Sequence, residues 1–267
     1  MRKFLVALLL ALMVATLLLA GCGQSESDKS AEEAKDILAK SQEKMDEVNS
    51  VKMTGSASVE MTEAEQGSTE YDFEAVTQKT PDGQTELQMI AKGDGEDLQT
   101  YVLGGYAYTY DSNSGWVKRK ITGADGVSTP APTPDQLSEM SRYAENLRLM
   151  PEEDGKYVVA FDVSPEFFGQ YSEGLTESSG IMEDFLKDIK VSVIYKIDKS
   201  TMYADNVDVD ISLEDTPLFG DITAYTSITF SEFNQPVTIV LPAEAQNAPE
   251  KELLPGDFDI PIPGMGF

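Results

Sequence analysis

The clearest patterns in the chain are alternations of apolar and polar residues, first between residues 50 and 121 and again after residue 190. Apolar residues alternate with polar ones over Val51–Thr62, and only Gly55 interrupts the apolar face. A period of two is typical of a half-buried antiparallel strand. Similar stretches follow turn signals such as Pro81-Asp82-Gly83 and Gly104-Gly105. The first half of the chain is therefore predicted to be a meander of about six strands.

Helical patterns precede and interrupt these strands. Ser30-Ala31-Glu32-Glu33 matches a capping box and predicts a helix that continues to about Asn49. Pro134 opens a second predicted helix, because proline is well tolerated in the first turn, and apolar residues recur at helical spacing over Leu137–Leu147. A third helix is predicted over Ile181–Ile189, and a helical turn follows Ser164.

Further strands are predicted in the second half of the chain. They cover Lys156–Val163, Val191–Ile197, Met202–Leu213, Ile222–Phe233 and Val237–Leu241. About ten to eleven antiparallel strands with helices set to one side form an α+β fold. Because so large a sheet tends to curl, the predicted architecture is a half-barrel whose concave face is covered by helices.

The N-terminus carries an export signal. Arg2 and Lys3 precede an apolar run from Phe4 to Ala20, which is typical of a secretory signal peptide. Cys22 is the only cysteine, so an internal disulfide is excluded. Leu19-Ala20-Gly21-Cys22 resembles the lipobox of bacterial lipoproteins, which implies a diacylglyceryl group on Cys22 and cleavage before it. Two acyl chains anchor a protein stably. The alternative is an uncleaved N-terminal membrane anchor.

These features predict four segments. Residues 1–21 form the signal peptide, 22–30 a lipidated flexible tether, 31–245 the folded domain and 246–267 a Pro-rich C-terminal tail. The expected location is the extracytoplasmic face of the cell membrane, where the lipid on Cys22 holds the protein. A monomer is expected.

The charge and the residue types exclude several classes of function. There are 47 acidic and 20 basic residues, and the net charge of −27 excludes broad binding to nucleic acid. The chain has no histidine, which is the usual general base at neutral pH and the commonest metal ligand. With the one thiol assigned to lipidation, no activated nucleophile is evident. We therefore expect neither an enzyme nor a cofactor. The acidic surface favours solubility, and a docking face for a partner is the alternative.

Two acidic stretches are candidate metal sites. Asp208 and Asp210 alternate with apolar residues, so they are predicted to share the solvent face of a strand. Calcium binding is the alternative, because hard cations take oxygen ligands. Asp111–Gly115 resembles half a calcium loop, but Thr122 stands where a bidentate glutamate is needed. This segment is predicted to be a turn, and no metal site is expected.

Several local phrases, in their order along the chain, carry a resemblance to a known superfamily. The phrases are Asp36-Ile37-Leu38, Val51-Lys52-Met53, Tyr106–Lys118, Tyr195–Lys199 and Phe230–Pro242. Over about Ser30 to Ala245, the chain resembles the LolA/LolB-like superfamily, especially the LppX/LprG lipoproteins and related lipoproteins. The resemblance implies a half-barrel of antiparallel strands around helices with an apolar cavity, in which several members carry lipids or lipoproteins.

Apolar side chains on the predicted helices and sheet are candidates for lining such a cavity. The candidates are Met61, Phe73, Met89, Tyr106, Tyr108, Met140, Tyr143, Phe168, Met182 and Phe185. Methionine adapts well to irregular ligands. The alternative for each residue is an ordinary filled core. The functional hypothesis is a carrier or binding protein for a hydrophobic ligand or lipid, and the alternative is a surface interaction or envelope-sensing protein that uses the sheet as a docking platform.

Overall fold

The computed structural model describes residues 26–62, 68–93, 97–112, 115–121, 131–167, 188–216 and 220–251. Within these residues the helices are α1 (Glu26–Asp46), α2 (Pro134–Arg142) and α3 (Ala243–Gln246). The strands are β1 (Ser50–Met61), β2 (Ser68–Lys79), β3 (Thr85–Gly93), β4 (Asp97–Leu103), β5 (Tyr106–Asp111), β6 (Gly115–Lys120), β7 (Ala144–Glu153), β8 (Lys156–Val163), β9 (Lys190–Asp198), β10 (Ala204–Thr216) and β11 (Gly220–Ser231).

All eleven strands belong to one open, curled antiparallel sheet in the order β6-β5-β4-β3-β2-β1-β11-β10-β9-β8-β7. The sheet consists of two meanders, β1–β6 and β7–β11. They join where β1 pairs with β11, from Lys52–Ser231 to Met61–Ile222. The predicted meander of six strands and the predicted size of the sheet are confirmed.

The two faces of the sheet differ because side chains alternate along each strand. We call the face that carries the main buried apolar cluster the inner face, and the opposite face the outer face. In β1, Val51, Met53 and Ala57 are buried on the inner face, whereas Lys52 and Thr54 are only half-buried on the outer face. The predicted alternation of β1 is therefore confirmed.

Two helices pack against the inner face near β7–β9. Helix α1 contacts β7 and β8 and contributes Ile37 and Leu38 to the apolar cluster. Helix α2 begins at a capping box of Thr133 and Gln136, and its Leu137 carbonyl accepts a hydrogen bond of 3.2 Å from the Tyr195 hydroxyl. Of the predicted helix over Ile181–Ile189, only the last two residues lie in the described part. Helical cover over the rest of the inner face therefore stays a prediction.

Both edges of the sheet are partly covered. Beside β6, the Lys118 N–H donates to the Pro249 carbonyl and the Lys251 N–H donates to the Lys118 carbonyl, each at 3.0 Å. Beside β7, the Leu149 N–H donates to the Ser30 hydroxyl of α1 at 3.2 Å. These contacts occupy backbone groups that an edge strand otherwise offers to another chain. Residues 249–251, within the predicted tail, therefore lie along the sheet edge.

The prediction of a helix over Leu137–Leu147 is wrong in its second half. Helix α2 ends at Arg142, and β7 begins at Ala144. Asn146 has a positive φ of 51°, which is incompatible with a continuing helix. The tight turn at Asp154-Gly155, where φ is also positive, returns the chain as β8, so β7 gains a full strand partner.

The predicted short strand over Val237–Leu241 is also wrong. The segment lies between Pro236 and Pro242, which lack the N–H groups that a sheet ladder needs. It has no strand structure, and Val240 is 67% exposed. The segment is an irregular connection between β11 and α3, in which Val237, Ile239 and Leu241 are half-buried.

Candidate functional site: an apolar rim on the inner face

The inner face of β1–β3 combines aromatic rings with glycines on the neighbouring strands. Phe73 lies opposite Gly55, and a Cβ on Gly55 would come within 2.8 Å of the Phe73 ring and would overlap the Ser227 carbonyl oxygen. Tyr71 lies opposite Gly93, and a Cβ there would come within 2.6 Å of the Tyr71 ring. Each ring of β2 therefore rests directly on a glycine of an adjacent strand, which no larger residue would permit.

Four apolar side chains at one end of this face are only half-buried. They are Val59, Met61, Tyr71 and Leu98, and we call them the apolar rim. The register places them together, since β1 and β3 end where β2, β4 and β11 begin. All four pack against the buried cluster, so the rim is one partly exposed margin of the apolar face.

The residues next to the rim are small and fully enclosed. Ala57 is the cross-strand partner of Tyr71, Ala91 is the partner of Leu98, and Ala224 is the partner of Val59. Their exposed fractions are 2%, 0% and 4%. These small side chains form the floor beside the larger rim residues, and other parts of the structure cover them.

The structure brings five of the predicted lining residues to this cluster. Phe73, Met89 and Met140 are buried in it, with exposed fractions of 4%, 1% and 1%. Met61 and Tyr143 are half-buried at its margin, and the Tyr143 ring lies 5.7 Å from the Phe167 ring. Whether these residues contact a ligand or only fill the core stays a prediction.

Tyr106 and Tyr108 do not face the helices, and that expectation is corrected by the register. Tyr108 pairs with Tyr101 of β4, whereas Thr109 pairs with Thr100, which continues the row of Met89. The small residues Ala107 and Thr109 of β5 therefore point to the inner face, and the tyrosine rings point to the outer face. The Lys118 ammonium lies 5.6 Å from the centre of the Tyr106 ring there.

The remaining predicted positions fall outside the described residues. These are Phe168, Met182, Phe185 and the lipidation site Cys22. Sequence reasoning did not select Val59, Tyr71 or Leu98 as ligand contacts. The available sequence signal for Tyr71 was its position two residues before Phe73, on a strand whose two neighbours carry Gly55 and Gly93.

On the outer face of β10 and β11, polar and charged side chains hydrogen-bond to one another. Asp208 accepts hydrogen bonds from the Ser227 hydroxyl at 2.6 Å and the Tyr225 hydroxyl at 3.2 Å. Burial, and then the charge of Asp208, raises the pKa of Asp210 above its ordinary value. Among the described residues, no group of three or more acidic or cysteine side chains is placed to hold a metal ion. Within the same residues, no helix is long and apolar enough to cross a membrane.

Solved structures similar to this chain include LprF from Mycobacterium bovis, with 16% identity, a TM-score of 0.47, and 80% of this chain and 99% of that chain covered. A putative outer membrane lipoprotein-sorting protein domain from Vibrio parahaemolyticus has 10% identity, a TM-score of 0.32 and coverages of 78% and 95%. A LolA superfamily protein from Nitrosomonas europaea has 10% identity, a TM-score of 0.29 and coverages of 77% and 94%. The sequence-based resemblance to such lipoproteins is thus confirmed as a similarity.

The comparison with protein families gives a more direct assignment. No curated protein matches the chain. The model of DUF6612, described as a family of unknown function, matches residues 33–250. This match spans the whole sheet and α3, together with most of α1. The chain therefore belongs to the DUF6612 family.

Proposed function

We propose that this protein is a lipid-anchored extracytoplasmic lipoprotein that binds a hydrophobic or lipid ligand against the inner face of its sheet. The observation that carries this proposal is the apolar rim of Val59, Met61, Tyr71 and Leu98, half-buried at one end of the apolar inner face. An apolar margin beside a floor of alanines is a suitable entrance for an acyl chain.

The energetics favour a chain-like ligand. Each buried methylene contributes roughly 0.8 kcal/mol, so about ten methylenes are enough to offset the loss of ligand freedom on binding. The floor beside the rim carries no charged side chain among the described residues of β1–β4, because the charges of these strands alternate onto the outer face. An acyl chain would therefore bury no unpaired charge on that floor.

The lipid anchor would place this face beside a source of ligand. The diacylglyceryl group is proposed to be on Cys22, and the polar residues Gly23 to Ser25, followed by the first turn of α1, would separate it from the sheet. Cys22→Ala should abolish acylation and leave uncleaved precursor, as measured by metabolic labelling and gel mobility. Normal cleavage together with continued acylation of this variant would contradict the anchor.

Ligand binding is tested with two substitutions on neighbouring residues of β1. Val59 belongs to the rim, whereas Ser58 points to the outer face and is the partner of Tyr225. Titration with a fluorescent fatty acid should show saturable binding that Val59→Lys weakens at least about tenfold, or about 1.4 kcal/mol. Ser58→Lys introduces the same charge and should leave binding unchanged. Equal effects of both variants, or no saturable binding, would contradict the proposal.

The alternative function is a docking platform for a protein partner. It is favoured by the row of half-buried aromatic side chains on the outer face, which includes Tyr106, Tyr108 and Tyr110. Aromatic residues are enriched at protein interfaces. Native mass spectrometry of protein purified from cells separates the two functions. A retained lipid-sized adduct supports ligand binding, whereas purified protein without lipid and without fatty-acid binding supports docking.

A further inference from the structure

A cavity lies on the outer face, on the opposite side of the sheet from the apolar rim. It has a volume of about 560 Å³ and is open to solvent. Its lining includes Asp97, Gln99, Tyr110, Trp116, Pro242 and Glu244. The volume lies in the range of cavities that hold small molecules. We call it the outer cleft.

One wall of the outer cleft is a packed group of aromatic rings. The centres of the Tyr110 and Trp116 rings are 5.4 Å apart, and those of Tyr101 and Trp116 are 5.8 Å apart. Tyr101 is only 4% exposed, so it supports Trp116 from within the sheet. Tyr110 and Trp116 are half-buried and contribute to the lining. The wall therefore presents ring surfaces that are held in place by neighbouring strands.

The opposite wall comes from the C-terminal segment. Pro242 and Glu244 line the cleft at the start of α3, and Ala245, in the same helical turn, is fully buried. The segment is fixed to β6 by the backbone hydrogen bonds of Lys118 with Pro249 and Lys251. Glu244 is therefore carried by a backbone that is attached to the same strand as Trp116.

The charge of the cleft is negative and is not neutralised by ion pairs. Among the described residues, no lysine or arginine forms an ion pair with Asp97 or Glu244, and both side chains are exposed. The nearest basic residue in register is Lys92, which lies opposite both Asp97 and Asp72 and is itself exposed. Lys92 is not a residue of the lining.

We propose that the outer cleft binds a small organic cation that carries an alkylated ammonium group. The faces of aromatic rings attract cations, Trp most strongly, and the attraction is greatest for a weakly hydrated ammonium. The carboxylates of Asp97 and Glu244 supply the opposing charge on two sides of the cleft. The Gln99 amide and the Ser112 hydroxyl provide hydrogen-bonding groups for a polar substituent of the ligand.

Trp116 allows this proposal to be tested directly, because it is the only tryptophan in the chain. Its fluorescence can be followed while the full chain, in a nonionic detergent, is titrated with choline. We expect a saturable change in emission. The neutral isostere 3,3-dimethylbutan-1-ol has the same shape without the charge and should give no saturable change. An equal response to both compounds, or no response to choline, would overturn the proposal.

Charge variants separate a site from general attraction to an acidic protein. Asp97→Asn and Glu244→Gln should each lower the affinity for choline about tenfold, whereas Lys92→Gln should raise it. Asp210→Asn removes the same charge from β10, several strands away on the outer face, and should have no effect. Equal losses for Asp97→Asn and Asp210→Asn would overturn the proposal, because they would show that only the net charge matters.

Discussion

The inner face of the sheet is packed differently in its two meanders. In β7–β11 the inner face is filled by large side chains such as Phe161, Tyr195 and Ile197, and α1 and α2 pack on top of it. In β1–β4 the inner face carries glycines and alanines beside the rings of β2, and it ends in the half-exposed apolar rim. The first region is packed with large side chains beneath two helices, whereas the second combines small residues with the half-buried apolar rim.

We infer from this difference that β7–β11 and β1–β4 have different roles within one sheet. Large side chains that pack closely bury much apolar area, so the filled region is expected to contribute strongly to the stability of the fold. The region with small residues has smaller side chains beside its half-buried margin, where we propose that the ligand binds. Substitutions in β7–β11 should therefore change stability, and substitutions at the rim should change binding.

The largest loss of stability is expected from Phe161→Ala in β8. Phe161 is fully buried, and its ring stacks on Tyr195 with centres 5.9 Å apart. Truncation leaves a cavity in the filled region and should lower the free energy of unfolding by about 3–5 kcal/mol. Urea denaturation measures the effect, and Phe161→Leu should cost less because it keeps more of the volume. A loss below about 1 kcal/mol would show that this region is not closely packed.

The next largest effect is expected from Gly55→Ala in β1. The added Cβ would overlap the Ser227 carbonyl oxygen and press on the Phe73 ring, so the β1–β11 pairing or the ring must shift. Overpacking of this kind should cost about 3 kcal/mol. Ser56→Ala, at the next position on the outer face, is the matched control. If thermal melting showed equal effects at both positions, the close contact of Phe73 with Gly55 would be contradicted.

A smaller effect is expected from Tyr195→Phe, which removes the hydrogen bond to the Leu137 carbonyl of α2. The hydroxyl is buried, and burial raises the pKa of Tyr195 well above its ordinary value. Loss of one buried hydrogen bond should cost about 1 kcal/mol, with the ring packing retained. Fatty-acid binding at the rim should not change. A parallel loss of binding would show that the two regions are coupled.

The smallest effect is a dependence on acid pH at the turn between β9 and β10. Asp198 accepts hydrogen bonds from the Ser200 hydroxyl at 2.6 Å and the Thr201 N–H at 2.8 Å, which lowers its pKa from 3.8 to about 2. A lowered carboxyl pKa stabilises the fold above about pH 4, and this contribution is lost as the pH falls towards 2. Wild-type protein and Asp198→Ala should therefore differ most at neutral pH. A difference that grows on acidification would contradict this assignment.

Much of the sheet was predictable, because period-two alternation and glycine turns specify strands and hairpins locally. The hairpin at Gly104-Gly105 has positive φ at both glycines, as the sequence signal requires. By contrast, Leu147 fits both the helical spacing that begins at Leu137 and the alternation of β7. Only pairing with β8, which is a tertiary contact, decides between them.

The site was less predictable than the fold, because the face to which a strand residue points depends on the register of strand pairing. Strand β5 alternates Tyr, Ala, Tyr, Thr and Tyr, so its period is evident, but the larger side chains do not face the apolar cluster. On the outer face, the Tyr106 ring packs against the Tyr108 ring and lies near the Lys118 ammonium. Similarly, the exposure of Val59 and Leu98 depends on which other parts of the chain cover them. The sequence pattern of a single strand does not contain this information.

Binding of a hydrophobic chain to the inner face beside the apolar rim can be located by photolabelling with a diazirine-bearing fatty acid, followed by peptide mapping of the adducts. We expect saturable labelling of Val59, Met61, Tyr71 or Leu98, which excess unlabelled fatty acid suppresses. Saturable labelling confined to outer-face residues such as Tyr106 and Tyr108, or labelling that unlabelled fatty acid does not suppress, would contradict it.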